Sequence, residues 1–174
     1  ASGLRSSSPP MTDDPTDPTD PRRRGLVVES ADPRTDARVA PLLDAAFERN
    51  DAESRLVQRL AHEHPDFDPD LALLARHGDT VLGWALFMPR VLRLAGFWTQ
   101  VVITSPFAVH PSARRRGVAS ALLDAGLERA RAKGARAAVV LGGAEFFASR
   151  GFAPAFRMYD LRVRADDLLK AGDA

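Results

Sequence analysis

The stretch Phe107-Ala-Val-His-Pro-Ser-Ala-Arg114-Arg-Arg-Gly117-Val-Ala-Ser-Ala-Leu-Leu123 carries most of the fold information in this 174-residue chain. Its first residues are typical of a strand end, a turn containing Pro111 follows, and a helix opens near Gly117. At a helix start several backbone N–H groups lack intrahelical acceptors, and the helix dipole adds partial positive charge. A pyrophosphate is therefore a natural ligand for this segment. The minimal side chains of Gly117 and Ala119 would let a phosphate approach the backbone closely.

Arg115 and Arg116 add positive charge beside this helix start, although such a run can also form a solvated patch. Two other phosphate-binding patterns are absent: no G-x-x-x-x-G-K-[ST] occurs, and no G-x-G-x-x-G follows the first strand. Nucleotide hydrolases and dinucleotide oxidoreductases are thereby disfavoured. The net charge of +1 argues against nucleic acid and anionic membranes as partners.

The chain contains no cysteine, which excludes disulfides, thiolate catalysis and cysteine-ligated zinc. His62-Glu63-His64 lacks the H-E-x-x-H spacing that places two histidines on one helical face, so we expect no metal site. Apolar runs are interrupted well before about 18 residues, so we expect no transmembrane helix. The N-terminus shows no signal-peptide pattern, and we expect a cytoplasmic protein.

Residues 1–24 differ in composition from the rest of the chain. Residues 1–10 precede Met11, a candidate natural start, so we expect an expression remnant or a gene start placed too far upstream. The following MTDDPTDPTD is acidic and interrupted by prolines, and it is too polar to offset its ordering entropy. We therefore predict a disordered tail over residues 1–24 and a single domain over residues 25–174.

The hydrophobic periodicity predicts the order β-α-α-β-β-β-α-β-α-β. Pro106 is expected to mark a bulge or break within its strand, and Gly134 is expected to end the long helix. The predicted strands cover 26–29, 71–76, 80–88, 91–94 with 97–109, 137–141 and 152–163. The first predicted helix begins near Pro41. The other predicted helices cover 52–61, 115–133 and 145–149, and a last turn is predicted at 166–170.

Two landmarks resemble one family. Arg114-x-x-Gly117-x-Ala119 looks like the R/Q-x-x-G-x-G/A signature of GNAT acetyltransferases. After a strand and a short helix, Phe147-Ala-Ser-Arg-Gly151-Phe152 is similar to the Y-x-x-x-G-F ending of that family, with Phe in place of Tyr. The resemblance implies the GNAT (acyl-CoA N-acyltransferase) fold: α/β, with a mixed, mostly antiparallel sheet, flanking helices and splayed central strands.

A narrower resemblance, to the YhbS-type branch of predicted N-acetyltransferases, covers about residues 26–156. It rests on segments 52–60, 81–89 and 140–147. That branch typically carries a V-L-G-D-P-x-Y-Y string. Here Gly143 replaces the Asp, Ala144 replaces the Pro, and Phe146 and Phe147 replace the two Tyr, so the polar groups of the string are lost.

The resemblance implies an acetyl-CoA-dependent N-acetyltransferase acting on a primary amine, with acetyl-CoA as co-substrate and no metal. Pantetheine amides would pair with the strand edge at Phe107, Ala108 and Val109, and the pyrophosphate would lie on the amides of residues 115–120. The implied cofactor-binding set is Phe107, Ala108, Val109, Arg114, Arg115, Arg116, Gly117, Val118, Ala119 and Ser120.

The family's general acid is often the Tyr at the position of Phe147, and Phe cannot donate a proton. Ser105, His110 and Glu145 are candidate proton-transfer groups, although His110 also suits a turn and Glu145 a helix cap. Trp84, Phe87 and Phe147 are candidates for the acceptor pocket, although a core position suits Trp84 and Phe87 better.

Three functions therefore stay open: an active N-acetyltransferase, a catalytically weak or inactive acetyl-CoA-binding module, and an unrelated phosphate-ligand or nucleic-acid module. For the first, the acceptor would be a small-molecule or protein amine. Only 11 residues follow Val163, so the final strand could be short, and either a monomer or a homodimer is compatible with the sequence.

Overall fold

The computed structural model describes residues 23–47, 51–94, 96–140 and 144–154. They fall into two compact units, one up to residue 141 and one from residue 142. The predicted tail up to residue 22, nearly all of the extended segment at 152–163 and the turn at 166–170 lie outside the described residues. The assignment of one domain to residues 25–174 stays a prediction.

A five-stranded sheet in the order β1-β2-β3-β4-β5 forms the centre of the first unit. Neighbours are antiparallel from β1 to β4, whereas β4 and β5 are parallel. The predicted order of elements is confirmed throughout the described residues. The strands are β1 (Leu26–Ser30), β2 (Ala72–His77), β3 (Thr80–Leu94), β4 (Phe97–Val109) and β5 (Ala137–Val140).

Helices cover both faces of this sheet. Trp84 of β3 is fully buried in a cluster with Leu43 and Val57, which come from the first two helices. The adjacent Gly83 faces the third helix, because successive strand residues point to opposite faces. The helices are α1 (Val39–Ala46), α2 (Ala52–Glu63), α3 (Val118–Ala132) and, in the second unit, α4 (Ala144–Ala148); short 3₁₀ turns span Pro69–Leu71 and Pro111–Ala113.

The long helix α3 lies unusually close to β3 at a glycine. A Cβ placed on Gly126 would lie 2.0 Å from the ring of Phe87, far inside normal contact distance. Phe87 is fully buried, so its ring has little room to move. The glycine therefore sets how closely the helix approaches the sheet.

Three sequence predictions bear on the neighbourhood of β4. The bulge expected at Pro106 is confirmed, because the β3–β4 register shifts between Ala85 and Phe87. The predicted helix end is also confirmed: Gly134 has a φ of 96°. Its N–H donates to Arg131 at 3.0 Å, and the Ala135 N–H donates to Ala130 at 2.9 Å, which is the Schellman arrangement.

Two boundaries were wrong. α3 begins at Val118 rather than Arg115, because Arg115 and Gly117 have left-handed φ values of 60° and 77°, which a right-handed helix cannot include. β3 continues through Pro89 instead of ending at Met88. Among the described residues, β3 has no partner on its β2 side beyond Leu86, and proline is tolerated in such an edge segment.

Gly126→Ala tests the close approach of α3. Helix propensity alone favours alanine by about 1 kcal/mol, but the clash with Phe87 should reverse the sign. We expect the free energy of unfolding to fall by about 1–3 kcal/mol in urea titrations. In a Phe87→Leu background, Gly126→Ala should lower the free energy of unfolding by clearly less. A stabilising effect of Gly126→Ala in the native background would contradict this packing.

Candidate functional site

Strand β4 is paired unequally along its two edges. On one edge it pairs with β3 as far as Val109. On the other, β5 pairs only from Val101 to Thr104, where the partner of Thr104 is Val140. For the five residues after Thr104, β4 therefore has no β5 partner within the described part of the chain.

The direction of the backbone groups in this segment follows from one hydrogen bond. The His110 N–H donates to the Leu82 carbonyl at 2.8 Å, so the backbone groups of His110 face β3. Because these groups alternate along an antiparallel strand, those of Ala108 also face β3. The N–H and C=O groups of Phe107 and Val109 are thereby directed toward the other edge of β4.

His110 caps the short turn that follows β4. Its Nδ1 accepts a hydrogen bond from the Ser112 N–H at 3.3 Å and lies 2.8 Å from the Ser112 hydroxyl. The Ala113 N–H donates to the His110 carbonyl at 2.8 Å, and Ala113 is fully buried. The side chain of His110 thus fixes the path of the chain between the strand and the loop before α3.

The loop Arg114–Gly117 leads into α3. One Arg114 guanidinium nitrogen lies 3.5 Å from the Ala46 carbonyl at the end of α1, while Arg115 and Arg116 are exposed. The first α-helical hydrogen bond is donated by the Ala121 N–H to Gly117 at 3.0 Å. The first-turn amides therefore point out of the helix toward the loop, and Gly117 adds no side chain over them.

A cavity of about 320 Å³ lies beside the first turn of α3. Arg116 and Val118 line it from the loop and the helix, and Arg24 and His77 line it from the β1 and β2 ends. The two guanidinium groups add positive charge next to the helix start, where the helix dipole also favours an anion.

The other predicted site residues lie on different strands and helices. Ser105 is half-buried at the β4 bulge. Trp84 and Phe87 are fully buried core residues on opposite faces of β3, and the Trp84 indole N–H donates to the Ala31 carbonyl at 3.2 Å. Glu145 is exposed in the first turn of α4, in the second unit.

Phe147 anchors the end of α4 within the second unit. Gly151 has a φ of 80° and donates its N–H to Ala148, while the Phe152 N–H donates to Phe147, both at 3.1 Å. The rings of Phe147 and Phe152 lie 5.4 Å apart between centroids. This is a Schellman motif with its hydrophobic contact, which gives the F-x-x-x-G-F pattern a structural reason.

Sequence reasoning missed Thr104. It is 1% exposed, and its hydroxyl has no hydrogen-bond partner in the described structure. In the sequence it is one of several β-branched residues of a strand, so no sequence signal distinguishes it.

Among the described residues, no group of three or more His, Cys, Asp or Glu side chains is arranged to hold a metal ion. In the same part of the chain, no helix has the length and apolar character needed to cross a bilayer.

A sequence profile of the acetyltransferase (GNAT) domain matches residues 31–155. The chain therefore belongs to the GNAT family of acetyltransferases, and the predicted fold class is confirmed. Comparison with curated protein sequences gives no significant match.

Solved structures are similar to this chain over about three quarters of its length. A GNAT family acetyltransferase from Brucella melitensis in complex with acetyl-CoA has a TM-score of 0.63 and 26% identity, covering 74% of this chain and 83% of its own. YhbS from Escherichia coli in complex with CoA has a TM-score of 0.59 and 31% identity, covering 74% and 67%. A ribosomal-protein-alanine N-acetyltransferase from Brucella melitensis biovar Abortus 2308 has a TM-score of 0.60 and 21% identity, covering 77% and 96%. At this lower identity it supports the fold alone.

Substitution of His110 separates a capping role from a role in proton transfer. Asparagine can replace the Nδ1 acceptor, whereas alanine cannot, so His110→Ala should lower the free energy of unfolding by about 1 kcal/mol and His110→Asn by clearly less. Urea unfolding measures both. Equal destabilisation by the two variants would contradict the cap. Loss of acetyl transfer in a stable His110→Asn protein would instead place His110 in the chemistry.

Proposed function

We propose that this protein is an acetyl-CoA-dependent N-acetyltransferase that acetylates a primary amine. One observation carries the proposal: the β4 segment whose Phe107 and Val109 backbone groups face away from β3 leads directly into a left-handed loop and the start of α3. An extended amide-containing arm would pair with the strand backbone of β4, and a pyrophosphate would bind at the helix start. The two parts of the ligand would thus follow the same order as the two segments along the chain.

The pyrophosphate would be held by the first-turn amides of α3 together with Arg115 and Arg116. The amides contribute hydrogen-bond donors and the dipole contributes partial positive charge. The left-handed φ of Arg115 supports this role, because non-glycine residues in that region are uncommon and concentrate at ligand-binding sites.

The pantetheine arm would pair with the backbone of Phe107 and Val109, whose polar groups point away from β3. In the reaction the acceptor amine attacks the thioester carbonyl, the C–S bond breaks, and the amine loses a proton. A backbone N–H of β4 would stabilise the developing charge on the carbonyl oxygen. Holding the amine and the thioester together would supply much of the acceleration.

Proton transfer must proceed here without the hydroxyl that the family often uses. Phe147 has no hydroxyl with which to protonate the departing thiolate, so water or one of Ser105, His110 and Glu145 would take part. The thiolate of CoA is a tolerable leaving group, so lack of an acid slows the reaction without preventing it. The same phenylalanine favours the alternative function, a GNAT-fold module that binds acetyl-CoA with little or no turnover.

The 31% identity to the YhbS structure supports membership of the YhbS-type branch. We propose a cytoplasmic protein with a small-molecule or protein amine as acceptor, acting as a monomer or homodimer. The net charge of +1 disfavours nucleic acid as a partner. Trp84, Phe87 and Phe147 stay predictions for the acceptor pocket.

Acetyl-CoA binding with a matched pair of glycine variants tests the site. We expect the protein to bind acetyl-CoA with a micromolar Kd in calorimetric titrations and Gly117→Glu to abolish binding, because a carboxylate would occupy the phosphate position. Gly96→Glu is the control, since Gly96 also has a left-handed φ, 89°, and lies in the β3–β4 turn. If the native protein fails to bind, the proposal is wrong; if both variants lose binding equally, the position of the pyrophosphate is wrong.

Turnover distinguishes the enzyme from the binding module. Release of CoA from acetyl-CoA can be followed with a thiol reagent. Because the chain contains no cysteine, the protein itself gives no thiol signal. With a panel of primary amines we expect amine-dependent thiol release that Gly117→Glu eliminates. Tight binding without thiol release for any amine would favour the binding module.

A further inference from the structure

The cavity beside the first turn of α3 is lined by positive charge without a compensating acid. Arg24 and Arg116 line it together with His77, and no aspartate or glutamate is among its lining residues. Within the described residues neither of the two arginines has an ion pair, whereas Arg38, for example, pairs with Glu29 at 2.9 Å. Two such guanidinium groups on one cavity attract an anionic occupant. We call this site the arginine cavity.

The described part of the chain begins at the rim of the arginine cavity. Arg23 forms an ion pair with Asp124 of α3 at 2.8 Å, and its side chain is only 13% exposed. A Cβ at Gly25 would lie 2.8 Å from the ring of His77, so the backbone passes close over that side chain. Contacts with α3 and β2 therefore fix the path of residues 23–25. The segment before residue 23 joins the protein at this point.

The segment that joins the protein there carries an excess of negative charge. Residues 11–20, MTDDPTDPTD, contain four aspartates and no lysine or arginine; we call them the acidic segment. Asp20 lies four positions before Arg24 and Asp13 lies eleven, which an extended chain spans in about 14 Å and about 38 Å. The connection is thus long enough for each carboxylate to reach the cavity whose rim holds the attachment point.

We propose that the acidic segment binds in the arginine cavity and competes there with the phosphates of acetyl-CoA. Its carboxylates would pair with Arg24 and Arg116. Single exposed ion pairs are weak, but attachment at the rim of the cavity gives these carboxylates a high effective concentration. The occupant is thus a segment of the same chain.

Competition follows from the position of the cavity. Val118, the first residue of α3, lines it, and the proposed function places the pyrophosphate at the same helix start. A carboxylate bound to Arg116 would withdraw that guanidinium from the phosphates and add negative charge beside the first-turn amides. The competition rests on the proposed function, whereas the contact between the acidic segment and the cavity does not.

Neutralising the acidic segment tests both parts of the proposal. The test variant replaces all four aspartates and keeps the length of the segment: Asp13→Asn, Asp14→Asn, Asp17→Asn and Asp20→Asn. The matched control changes three neighbouring side chains of the same segment and keeps its charge: Thr12→Ala, Thr16→Ala and Thr19→Ala. Calorimetric Kd values for acetyl-CoA measure the competition. Amide chemical shifts of the ligand-free proteins measure the contact.

We expect the asparagine variant to bind acetyl-CoA about threefold to tenfold more tightly than the native chain at about 0.05 M salt. The difference should shrink at about 0.5 M salt, because screening weakens exposed ion pairs. The threonine control should bind like the native chain. In an Arg24→Gln background the four asparagine substitutions should change the Kd by less than about twofold, because one partner of the carboxylates is gone.

Without ligand, the amide shifts of Arg116 and Val118 should differ between the native chain and the asparagine variant. These residues are distant in sequence from the substitutions, so a difference there reports a contact through space. The threonine control should reproduce the native shifts at both residues.

Identical amide shifts and equal Kd values for the native chain and the asparagine variant would overturn the proposal and leave the proposed function intact. Shift differences with equal Kd values would overturn the competition alone. If neither protein binds acetyl-CoA, the proposed function and the competition are both wrong, and the shifts of the ligand-free proteins still decide on the contact.

Two other occupants of the cavity give distinct results. Shift differences that grow with protein concentration would assign the contact to the acidic segment of a second copy and contradict binding within one chain. Changes at Arg116 and Val118 on addition of inorganic phosphate, without any effect of the asparagine substitutions, would show a site for free anions and overturn the proposal.

Discussion

The unequal pairing of β4 is the constraint on which the rest of the site depends. β3 pairs with the strand as far as Val109, whereas the described part of β5 pairs with it only to Thr104. Because β3 keeps β4 extended to Val109, the backbone groups of Phe107 and Val109 keep a defined direction away from β3. The proposed acyl site uses these directed groups.

Packing of α3 against the sheet joins that edge to the loop. A Cβ at Gly83 would lie 2.9 Å from both the Ala108 carbonyl and the Val118 side chain, and one at Gly126 would meet the Phe87 ring. The two glycines therefore allow the helix to lie close to β3. Because the helix begins at Val118, directly above the end of β4, its first-turn amides are brought to the end of the strand edge.

Much of this could be predicted from local chemistry. The loop before α3 follows from a strand end, a Pro-containing turn and a glycine, and Gly134 stops the helix by taking the left-handed conformation that other residues avoid. Gly151 does the same after α4. These features depend on a few neighbouring residues, so a single sequence contains the information.

The features that escaped prediction depend on residues distant in sequence. The late start of α3 reflects the left-handed φ of Arg115. An arginine in the sequence gives no indication of that backbone conformation. The continuation of β3 through Pro89 depends on where β2 ends. The burial of the Thr104 hydroxyl depends on β3 and β5 together, and nothing in its own strand marks it.

Amide chemical shifts recorded during titration with acetyl-CoA show directly where the ligand binds. We predict that the largest changes fall on two segments, Phe107–Val109 and Arg115–Ser120, while the β3–β4 turn around Gly96 stays unperturbed. Saturating acetyl-CoA without changes in these two segments, or with changes concentrated near Gly96, would contradict the assignment of the β4 edge and the start of α3 as the acetyl-CoA site.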